Sequence, residues 1–415
     1  MTSTTSWEAT NASGTAPPAL TRNGENFFAR GVCYSPVPWG GNSNWVPYGD
    51  FMFPPWNGIW ERDLPAMRAC GINMIRTYNI QNVANGNPQD HSEFLDACWN
   101  GGVDPIYVLV GFGALNNLAT FTPWDTSKAA RDAAGAAFLD MAAAYGGFPA
   151  VMGFILGNEV NNPETIANPD FWAWIDALAI STKSAAPGKL TMMALVDDSM
   201  NSVKAGDSRM PNLDLWGINS YRGLVDPPSS NNFDNLWPAF AAASAKPLIL
   251  TEWGAPASSH DADGNLVFTG DVVDNLDTYV AGHYADTVFN SVTTTGNGGT
   301  ANPNAVFWAP VCAGSAYFEW TDEWWKLDAD YSKIKCPATV QNPGTRTNVA
   351  FPGGWDDEEC FGLNAIQPVD PAGRSVPTPG GCPGPWDFES NAPYPPDVLV
   401  PRQSLATLSK LWKSS

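Results

Sequence analysis

Two glutamates stand at the ends of two apolar runs that are far apart in the chain. Glu159 closes the run VMGFILGNE, which begins at Val151, and Glu252 closes the run PLILTE, which begins at Pro247. An ionisable side chain beside such a run is costly unless it is paired, hydrogen-bonded or turned into a cleft. Two carboxylates across one cleft supply the acid/base and the nucleophile that cleavage of a glycosidic bond requires. We therefore predict that the two glutamates face each other in one catalytic site.

Similar apolar runs recur along the chain and alternate with amphipathic segments. Their lengths and their flanking turn residues are typical of buried strands. We predict eight strands, at 27–34, 72–80, 105–110, 153–160, 190–196, 213–221, 248–253 and 315–320. We predict helices between them, at 64–70, 90–99, 128–145, 170–185, 233–243 and 274–292. This alternation predicts an α/β fold, a single (β/α)8 TIM barrel, with its site at the C-terminal ends of the strands.

The two ends of the chain fall outside this alternation. Residues 1–20 are predicted to be an N-terminal tail, and 21–415 to be the catalytic barrel. Within the barrel, 321–402 is rich in Gly, Pro and Asp and is predicted to be a long loop insertion after the eighth strand, followed by a closing helix at 403–413. A separate small C-terminal domain is the alternative, but poor apolar periodicity argues against an independent core. Asp63 is expected to cap the first helix.

The composition restricts the partners. The 415 residues carry 21 Lys and Arg against 42 Asp and Glu, a formal net charge of -21. This charge argues against nucleic acid and anionic membrane surfaces as partners. No apolar run reaches the roughly 18 residues of a membrane span, so no membrane insertion is expected. The 19 Trp, many of them beside Gly, Pro or Asn, suit the apolar faces of neutral sugar rings.

The seven cysteines indicate an oxidising compartment rather than a metal centre. Cys312, Cys336, Cys360 and Cys382 lie in the last third, where disulfides would hold the long insertion. The chain has no Cys-x-x-Cys pair and three histidines, so we expect no metal site and no organic cofactor. The polar residues 1–6 do not form a signal peptide. We nevertheless expect a secreted, periplasmic or extracellular protein whose leader is not present in this chain.

The two strand ends also carry a family resemblance. Gly157-Asn158-Glu159 and Thr251-Glu252-Trp253-Gly254 resemble the motifs of clan A of the retaining glycoside hydrolases. Five further segments resemble the β-1,3-glucanosyltransferases of family 72 and their bacterial relatives: FARGV at 28–32, RDLP at 62–65, GINMIRTY at 71–78, DH at 90–91 and WGINSY at 216–221. The resemblance runs along roughly the whole barrel. It implies a double displacement in which Glu159 is the general acid/base and Glu252 the nucleophile.

Three residues are expected to support these two carboxylates. Arg76, at the end of the second predicted strand, suits the task of holding Glu252 ionised, because a nearby guanidinium favours the charged form. A salt bridge at the barrel rim is the alternative role for Arg76. Tyr221, at the end of the sixth predicted strand, is expected to donate a hydrogen bond to Glu252. Asn158 is placed to bind the sugar 2-hydroxyl, a contact that strengthens in the transition state.

Four more residues are predicted to bind substrate. Tyr78 closes the GINMIRTY segment. Trp253, directly after the second glutamate, is expected to border the sugar. Glu319 and Trp320, at the eighth predicted strand, are expected to supply a polar contact and the floor of the sugar site.

Together these features predict a retaining β-glycosidase or glucanosyltransferase that acts on β-linked glucan, and a β-1,3-glucan or similar oligosaccharide is the best prediction of its substrate. Whether it hydrolyses or transfers depends on whether an acceptor sugar or water reaches the glycosyl-enzyme intermediate first. One alternative is an endo-hydrolase of another β-glycan, such as mannan or cellulose. Another is a carbohydrate-binding barrel without turnover, which the presence of both glutamates disfavours. The protein is expected to be a monomer or a weak oligomer.

Overall fold

Three short strands precede the barrel. A computed structural model describes residues 5–13, 16–38, 50–80, 89–116, 128–222, 233, 235–257, 259–267, 270–291, 310–323, 360–367 and 397–414. The first strands form an antiparallel sheet, with β1 (Trp7–Thr10), β2 (Ala19–Arg22) and β3 (Glu25–Asn26) in this order. Part of the segment that the sequence predicts to be a tail is therefore strand.

This small sheet covers the N-terminal end of the barrel. The ring of Trp7 packs edge-to-face against Phe27 and against Tyr107, with 4.8 Å between the centroids of each pair. The backbone N–H of Trp7 also donates a hydrogen bond to the carbonyl oxygen of Gly188 (3.0 Å). The sheet therefore shields apolar side chains at this end from water, which stabilises the fold.

Eight parallel strands close into the barrel. Seven follow one another along the chain: β4 (Ala29–Cys33), β5 (Met74–Arg76), β6 (Tyr107–Val110), β7 (Val151–Asn158), β8 (Leu190–Val196), β9 (Leu215–Asn219) and β10 (Leu248–Trp253). A hairpin of β11 (Ser259–His260) and β12 (Leu266–Val267) precedes the eighth barrel strand, β13 (Cys312–Tyr317). Strand β13 pairs in parallel with both β10 and β4, which closes the ring. The predicted (β/α)8 TIM barrel is confirmed, and β8 and β10 have the predicted bounds.

Helices connect the strands and flank the barrel. They are α1 (Asn57–Cys70), α2 (Ser92–Trp99), α3 (Gly113–Asn116), α4 (Lys128–Tyr145), α5 (Pro163–Ala167), α6 (Pro169–Ala185), α7 (Asn201–Gly206), α8 (Leu236–Ala243), α9 (Gly270–Phe289) and α10 (Gln403–Trp412). The last helix packs between α9 and α1, as expected of a closing helix. In the part of the chain that the structure describes, every helix is too short or too polar to cross a membrane.

The first helix begins earlier than the sequence predicts. Asp63, the expected N-cap, lies inside α1 and is fully buried. Its carboxylate accepts hydrogen bonds from Arg62 Nε (2.6 Å) and from the Tyr34 hydroxyl (2.9 Å). A buried carboxylate requires such partners. The capping prediction is therefore wrong, because α1 begins before Asp63 and the Asp63 carboxylate binds Arg62 and Tyr34 instead of a helix end.

The segment after β13 contains another small sheet. Strands β14 (Asn364–Gln367) and β15 (Val398–Pro401) pair in antiparallel register. Residue Thr321 bridges to Asn364, which ties this sheet to the end of the barrel. Cys312 lies in β13 as a buried free thiol, so it takes no part in the predicted disulfide staple. Cys336 and Cys382 lie outside the described residues.

Candidate active site

Glu252 lies at the C-terminal end of the barrel, in β10, with 6% of its surface exposed. Its Oε1 accepts hydrogen bonds from Arg76 Nη1 and from the Tyr78 hydroxyl (2.8 Å). Its Oε2 accepts a hydrogen bond from the Tyr221 hydroxyl (2.8 Å). The register between β10 and β9 shifts between Leu250 and Glu252, and irregularities of this kind re-aim a side chain. Glu252 is therefore held by one cation and two hydroxyls, which come from the ends of β5 and β9.

Arg76 is the cation of this arrangement. It ends β5 and is 1% exposed. Its Nη1 also donates to the Thr251 carbonyl oxygen (3.1 Å), and its Nη2 donates to Asn158 Oδ1. Burial works against the charge, but the Tyr78 oxygen and the Glu252 carboxylate outweigh burial and raise the pKa of Arg76 above its usual value. A permanent cation with a rigid fork of donors therefore connects β5, β7 and β10.

Two tyrosines flank the Glu252 carboxylate. Burial raises the pKa of Tyr78 well above its usual value, so that its hydroxyl keeps its proton and remains a donor. The ring of Phe318 packs edge-to-face against Tyr78 and against Tyr221, with 6.3 Å between the centroids of each pair. Phe318 therefore packs against both tyrosine rings and helps to fix their positions. Sequence reasoning missed Phe318, because an aromatic residue after a strand gives no sign of which rings it contacts.

Glu159 directly follows β7 and is exposed. Its backbone is left-handed (φ 54°), and Gly157 has a φ of 142°, which favours glycine. The register between β7 and β8 also shifts between Ile155 and Asn158. At this irregular strand end, Glu159 Oε1 accepts a hydrogen bond from Asn219 Nδ2 (2.8 Å). The sequence Gly-Asn-Glu thus builds a bend that delivers the second carboxylate to the same end of the barrel.

Asn219 links the two carboxylates. It ends β9, and its Nδ2 donates to Asn158 Oδ1 (3.1 Å) as well as to Glu159. A continuous hydrogen-bonded path therefore runs from Glu252 through Arg76, Asn158 and Asn219 to Glu159. Sequence reasoning missed Asn219. The available signal was an amide at the end of a buried strand, in the WGINSY segment.

The two carboxylates have different environments. Glu252 is buried beside a cation, whereas Glu159 is exposed and accepts a hydrogen bond from a neutral amide. The two carboxylates at this end of the barrel therefore differ both in exposure and in the charge of the groups that bind them.

Two predicted substrate-binding residues are instead core residues. Trp253 is 0% exposed, and its ring stacks on that of His283 (6.1 Å between centroids, 8° between planes). It also contacts the Tyr317 ring edge-to-face (5.1 Å). Trp320 is 1% exposed, and its backbone N–H donates to the Cys33 carbonyl oxygen (3.0 Å). The predicted border and floor positions are therefore corrected, because packing against the barrel covers both indoles.

Glu319, the predicted polar contact, lies in a buried acidic cluster after β13. Ser35 Oγ is 3.1 Å from Glu319 Oε2 and 2.7 Å from Glu323 Oε1. A sugar contact of Glu319 stays a prediction. Among the described residues, neither this cluster nor any other brings together three His, Cys, Asp or Glu side chains as a metal site would.

An ion pair adjoins the turn that carries Tyr221. Arg222 Nε and Nη2 donate to Asp197 Oδ2 (2.5 Å) and Oδ1 (2.8 Å), and Ser220 Oγ donates to Asp197 Oδ2 (2.7 Å). A bidentate pair of this kind fixes orientation as well as charge. The turn after β9 is therefore tied to the end of β8.

Comparison with known proteins gives the same picture of the barrel. A family model described as "Glucanosyltransferase" matches residues 18–261. The 1,3-beta-glucanosyltransferase gas5 of Schizosaccharomyces pombe is 29% identical over 269 residues, which cover 61% of this chain and 48% of that protein. The 1,3-beta-glucanosyltransferase PGA4 of Candida albicans is 27% identical over 250 residues, 57% of this chain and 50% of that protein. The chain thus spans about half the length of the curated relatives it matches.

Solved structures share the fold. A variant of Saccharomyces cerevisiae Gas2p in complex with laminaritetraose and laminaripentaose has a TM-score of 0.52 and 14% identity, with 99% of this chain and 67% of that chain covered. The Ruminococcus gnavus beta-glucuronidase has a TM-score of 0.59 and 13% identity, with 99% and 53% covered. At these identities the likeness concerns the fold alone.

Proposed function

Because the chain belongs to the glucanosyltransferase family of glycoside hydrolases, we propose that it is a retaining β-1,3-glucanosyltransferase. In this proposal Glu252 is the nucleophile and Glu159 the general acid/base. The single observation that carries the assignment is the environment of Glu252, whose two oxygens accept hydrogen bonds from Arg76, Tyr78 and Tyr221. These donors fix the orientation of the carboxylate for attack.

In the first displacement, Glu252 attacks the anomeric carbon of a β-linked glucosyl unit. Its Oε2 is the attacking oxygen, because Oε1 is bound by both the guanidinium and a phenol. The bond from the anomeric carbon to the leaving oxygen breaks, and Glu159 gives its proton to that oxygen. The products are a glycosyl ester on Glu252 and a shortened glucan.

In the second displacement, the ionised Glu159 takes the proton of an incoming hydroxyl. The hydroxyl oxygen attacks the anomeric carbon, and the bond to Glu252 breaks, which restores the carboxylate. If the hydroxyl belongs to another glucan chain, the product is a longer glucan; if it belongs to water, the product is a hydrolysed one. We propose transfer to the 3-hydroxyl of glucan, and the names of the curated relatives support this choice.

Asn158 is proposed to orient the sugar beside these carboxylates. Its Oδ1 already accepts from Arg76 and Asn219, so its amide NH₂ is the group that donates to the sugar 2-hydroxyl. Donation from a fixed amide costs no reorganisation during the reaction.

Product analysis tests the proposed function. Wild type, Glu252→Gln and Glu159→Gln are each incubated with laminarioligosaccharides, and the products are measured by mass spectrometry and by NMR of the anomeric protons. We expect wild type to give longer oligosaccharides with retained β configuration and both variants to give far less product in the same time. Products of inverted configuration, or products from Glu252→Gln at the wild-type rate, would contradict the mechanism.

The same experiment separates the alternatives. Shorter products alone would show a hydrolase. Turnover of mannan or cellulose oligosaccharides, but not of laminarioligosaccharides, would show another β-glycan as substrate. Binding without any turnover would show a carbohydrate-binding barrel, and the family match and the pair of glutamates both disfavour it.

We further propose that the protein acts outside the cytoplasm. A polymeric β-glucan substrate supports this location, because such a polymer is too large to be taken up for cleavage inside the cell. Detection of the native protein in the wall, periplasmic or culture fraction is the expected result. Recovery from the cytoplasmic fraction alone would overturn the proposal.

A further inference from the structure

His283 occupies a buried position behind the candidate active site. It lies on α9 and is 0% exposed. Its Nδ1 is 2.9 Å from the carbonyl oxygen of Tyr279, one turn earlier on the same helix. Its Nε2 is 2.9 Å from the carbonyl oxygen of Arg222, in the turn that follows β9. Both ring nitrogens therefore face backbone carbonyl oxygens at hydrogen-bond distance.

These two contacts determine the charge of the ring. A carbonyl oxygen only accepts hydrogen bonds, whereas a neutral imidazole carries one N–H donor and one bare acceptor nitrogen. In the neutral form, one nitrogen lone pair would therefore point at a carbonyl oxygen 2.9 Å away. The imidazolium has two donors and satisfies both oxygens.

Aromatic rings surround His283 and suit a cation. The Tyr279 ring lies 3.8 Å and the Phe233 ring 4.6 Å from the His283 ring, centroid to centroid. The Trp253 ring is parallel to it, 8° off, with 6.1 Å between centroids. The face of an aromatic ring attracts a cation, and the attraction is greatest where water is excluded. These rings therefore offset part of the cost of burying the charge.

We propose that His283 is a buried imidazolium and a positioning residue for the nucleophile. Its Nε2–H holds the carbonyl group of Arg222, and the preceding residue, Tyr221, donates to Glu252 Oε2. Trp253, which stacks on His283, directly follows Glu252 in β10. The ring thus fixes the turn that carries the Tyr221 hydroxyl. The effect of His283 on kcat rests on the proposed function, whereas the charge of the ring does not.

Titratable groups on the surrounding elements are consistent with this charge. They are Asp286 and Tyr279 on α9, the Arg222–Asp197 pair, Glu252 on β10 and Tyr317 on β13. Burial raises the pKa of both Tyr279 and Tyr317 above the usual value, so both rings stay neutral. The charge of Arg222 is balanced by Asp197 and that of Glu252 by Arg76, whereas the carboxylate of Asp286, three residues after His283 on α9, favours a cation. Loss of one proton at high pH is therefore expected to set a nitrogen lone pair against one of the two carbonyl oxygens and so to loosen the packing of the turn after β9.

NMR of selectively ¹⁵N-histidine-labelled protein tests the charge directly, and it does not depend on activity. The chain has three histidines, so His260→Gln and His283→Gln variants assign all ring signals by difference. At neutral pH we expect both ring nitrogens of His283 to be protonated, each coupled to its own proton. One protonated and one bare nitrogen in the folded wild-type protein would overturn the proposal. If His283 is an imidazolium but the protein does not turn over glucan, the charge assignment stands and the proposed function is refuted.

A double-mutant cycle tests the positioning role. We expect His283→Gln to lower kcat about 10-fold with KM nearly unchanged, as for a lost hydrogen bond to a charged group. In a Tyr221→Phe background the same substitution is expected to have a much smaller effect, because His283 acts through the Tyr221 hydroxyl. An equal fold-change in both backgrounds would contradict the positioning role.

The pH dependence of kcat provides a second test of the positioning role. We expect kcat of wild type to fall at alkaline pH and kcat of His283→Gln to show no such fall. If His283→Gln does not fold, kcat of wild type and Tyr221→Phe is measured against pH. In that case the proposal requires kcat of wild type to fall at alkaline pH and kcat of Tyr221→Phe to show no such fall.

Discussion

The two ends of the barrel each bury a positive charge, and they surround it differently. At the C-terminal end, Arg76 is 1% exposed and pairs with the Glu252 carboxylate. At the N-terminal end, Lys189 is 5% exposed, and its Nζ donates to the carbonyl oxygens of Thr5 (3.3 Å), Phe148 (3.0 Å) and Val151 (2.8 Å). One charge is thus compensated by an opposite charge and the other by neutral dipoles.

The consequences for ionisation are opposite. The neighbours of Arg76 raise its pKa despite burial, whereas burial lowers the pKa of Lys189 to about 8. Fixed charges are needed where charge develops during a reaction. At the other end, Lys189 donates hydrogen bonds to three carbonyl oxygens and so links separate segments of the chain. The difference supports the proposed catalytic site at the C-terminal end and a stabilising role for the N-terminal end.

Exchange of each carboxylate for an amide should give the largest effects. With glucan substrates, Glu252→Gln is expected to lose at least about 10⁴-fold in activity. Glu159→Gln is expected to lose about 10²- to 10⁴-fold, as for a lost general acid. With a β-glucosyl donor whose leaving group is a dinitrophenolate, no proton is needed for departure. Glu159→Gln should then release a burst of dinitrophenolate in stopped-flow absorbance, and Glu252→Gln should not.

The two variants serve as controls for each other, because Gln preserves the size of Glu. A burst from Glu252→Gln together with none from Glu159→Gln would exchange the two roles. Bursts from both would place the nucleophile elsewhere.

Replacement of Arg76, the cation that pairs with Glu252, is expected to have the next largest effect on kcat. In Arg76→Lys the charge remains, but a single ammonium cannot reproduce the fork that reaches both Glu252 and Asn158. We expect kcat to fall about 10²-fold, as for the loss of one preorganised donor. Arg62→Lys is the matched control, because the half-buried Arg62 pairs with a different buried carboxylate, that of Asp63 on α1. It is expected to lower stability and to keep kcat. Equal losses of kcat in both variants would mean that the effect is structural.

Removal of a single hydroxyl should have a smaller effect. Tyr78→Phe and Tyr221→Phe each remove one hydrogen bond to Glu252, and each should lower kcat about 10-fold. Tyr107→Phe provides a control from the other end of the barrel, where the Tyr107 hydroxyl accepts from Arg22 (2.7 Å). Its kcat should equal that of wild type. Unchanged kcat in Tyr221→Phe would refute its support of the attacking oxygen.

The lysine at the N-terminal end should affect stability without affecting kcat. Its pKa is about 8 in the folded chain against 10.5 for the free group. Between these pH values the unfolded chain binds more protons, so stability rises with pH. Relative to Lys189→Met, the free energy of unfolding of wild type should rise by about 3 kcal/mol from pH 8 to pH 10.5. Denaturant titrations of both proteins at several pH values measure this difference, and parallel curves would contradict the role of Lys189.

Much of the fold was predictable from local patterns. The bounds of α4, β8 and β10 are as predicted, because long apolar or amphipathic runs leave little choice of structure. The start of α1 was not predictable, because Asp63 resembles a cap and its partner Tyr34 is distant in sequence. The N-terminal sheet was missed for a similar reason. Its short strands gain their stability from packing on the barrel end.

The candidate site was predictable in part. Both glutamates, Arg76 and Tyr221 stand at predicted strand ends, and the structure brings them together. Trp253 was expected to border the sugar and is in the core. An indole beside a catalytic strand gives no local sign of whether a helix will cover it, so sequence reasoning could not place this ring.

The sequence by itself determined the number and order of the barrel strands and the two carboxylates at the ends of two of them. These are local features, a run of apolar residues and the charged residue that follows it. Only the tertiary structure decided what surrounds each carboxylate. Asn219, Phe318 and His283 reach the site from three different elements, and their contacts exist only once the barrel has closed. The physical reason is that a buried polar group takes its partners from whatever folding brings near, and most of these partners are distant in sequence.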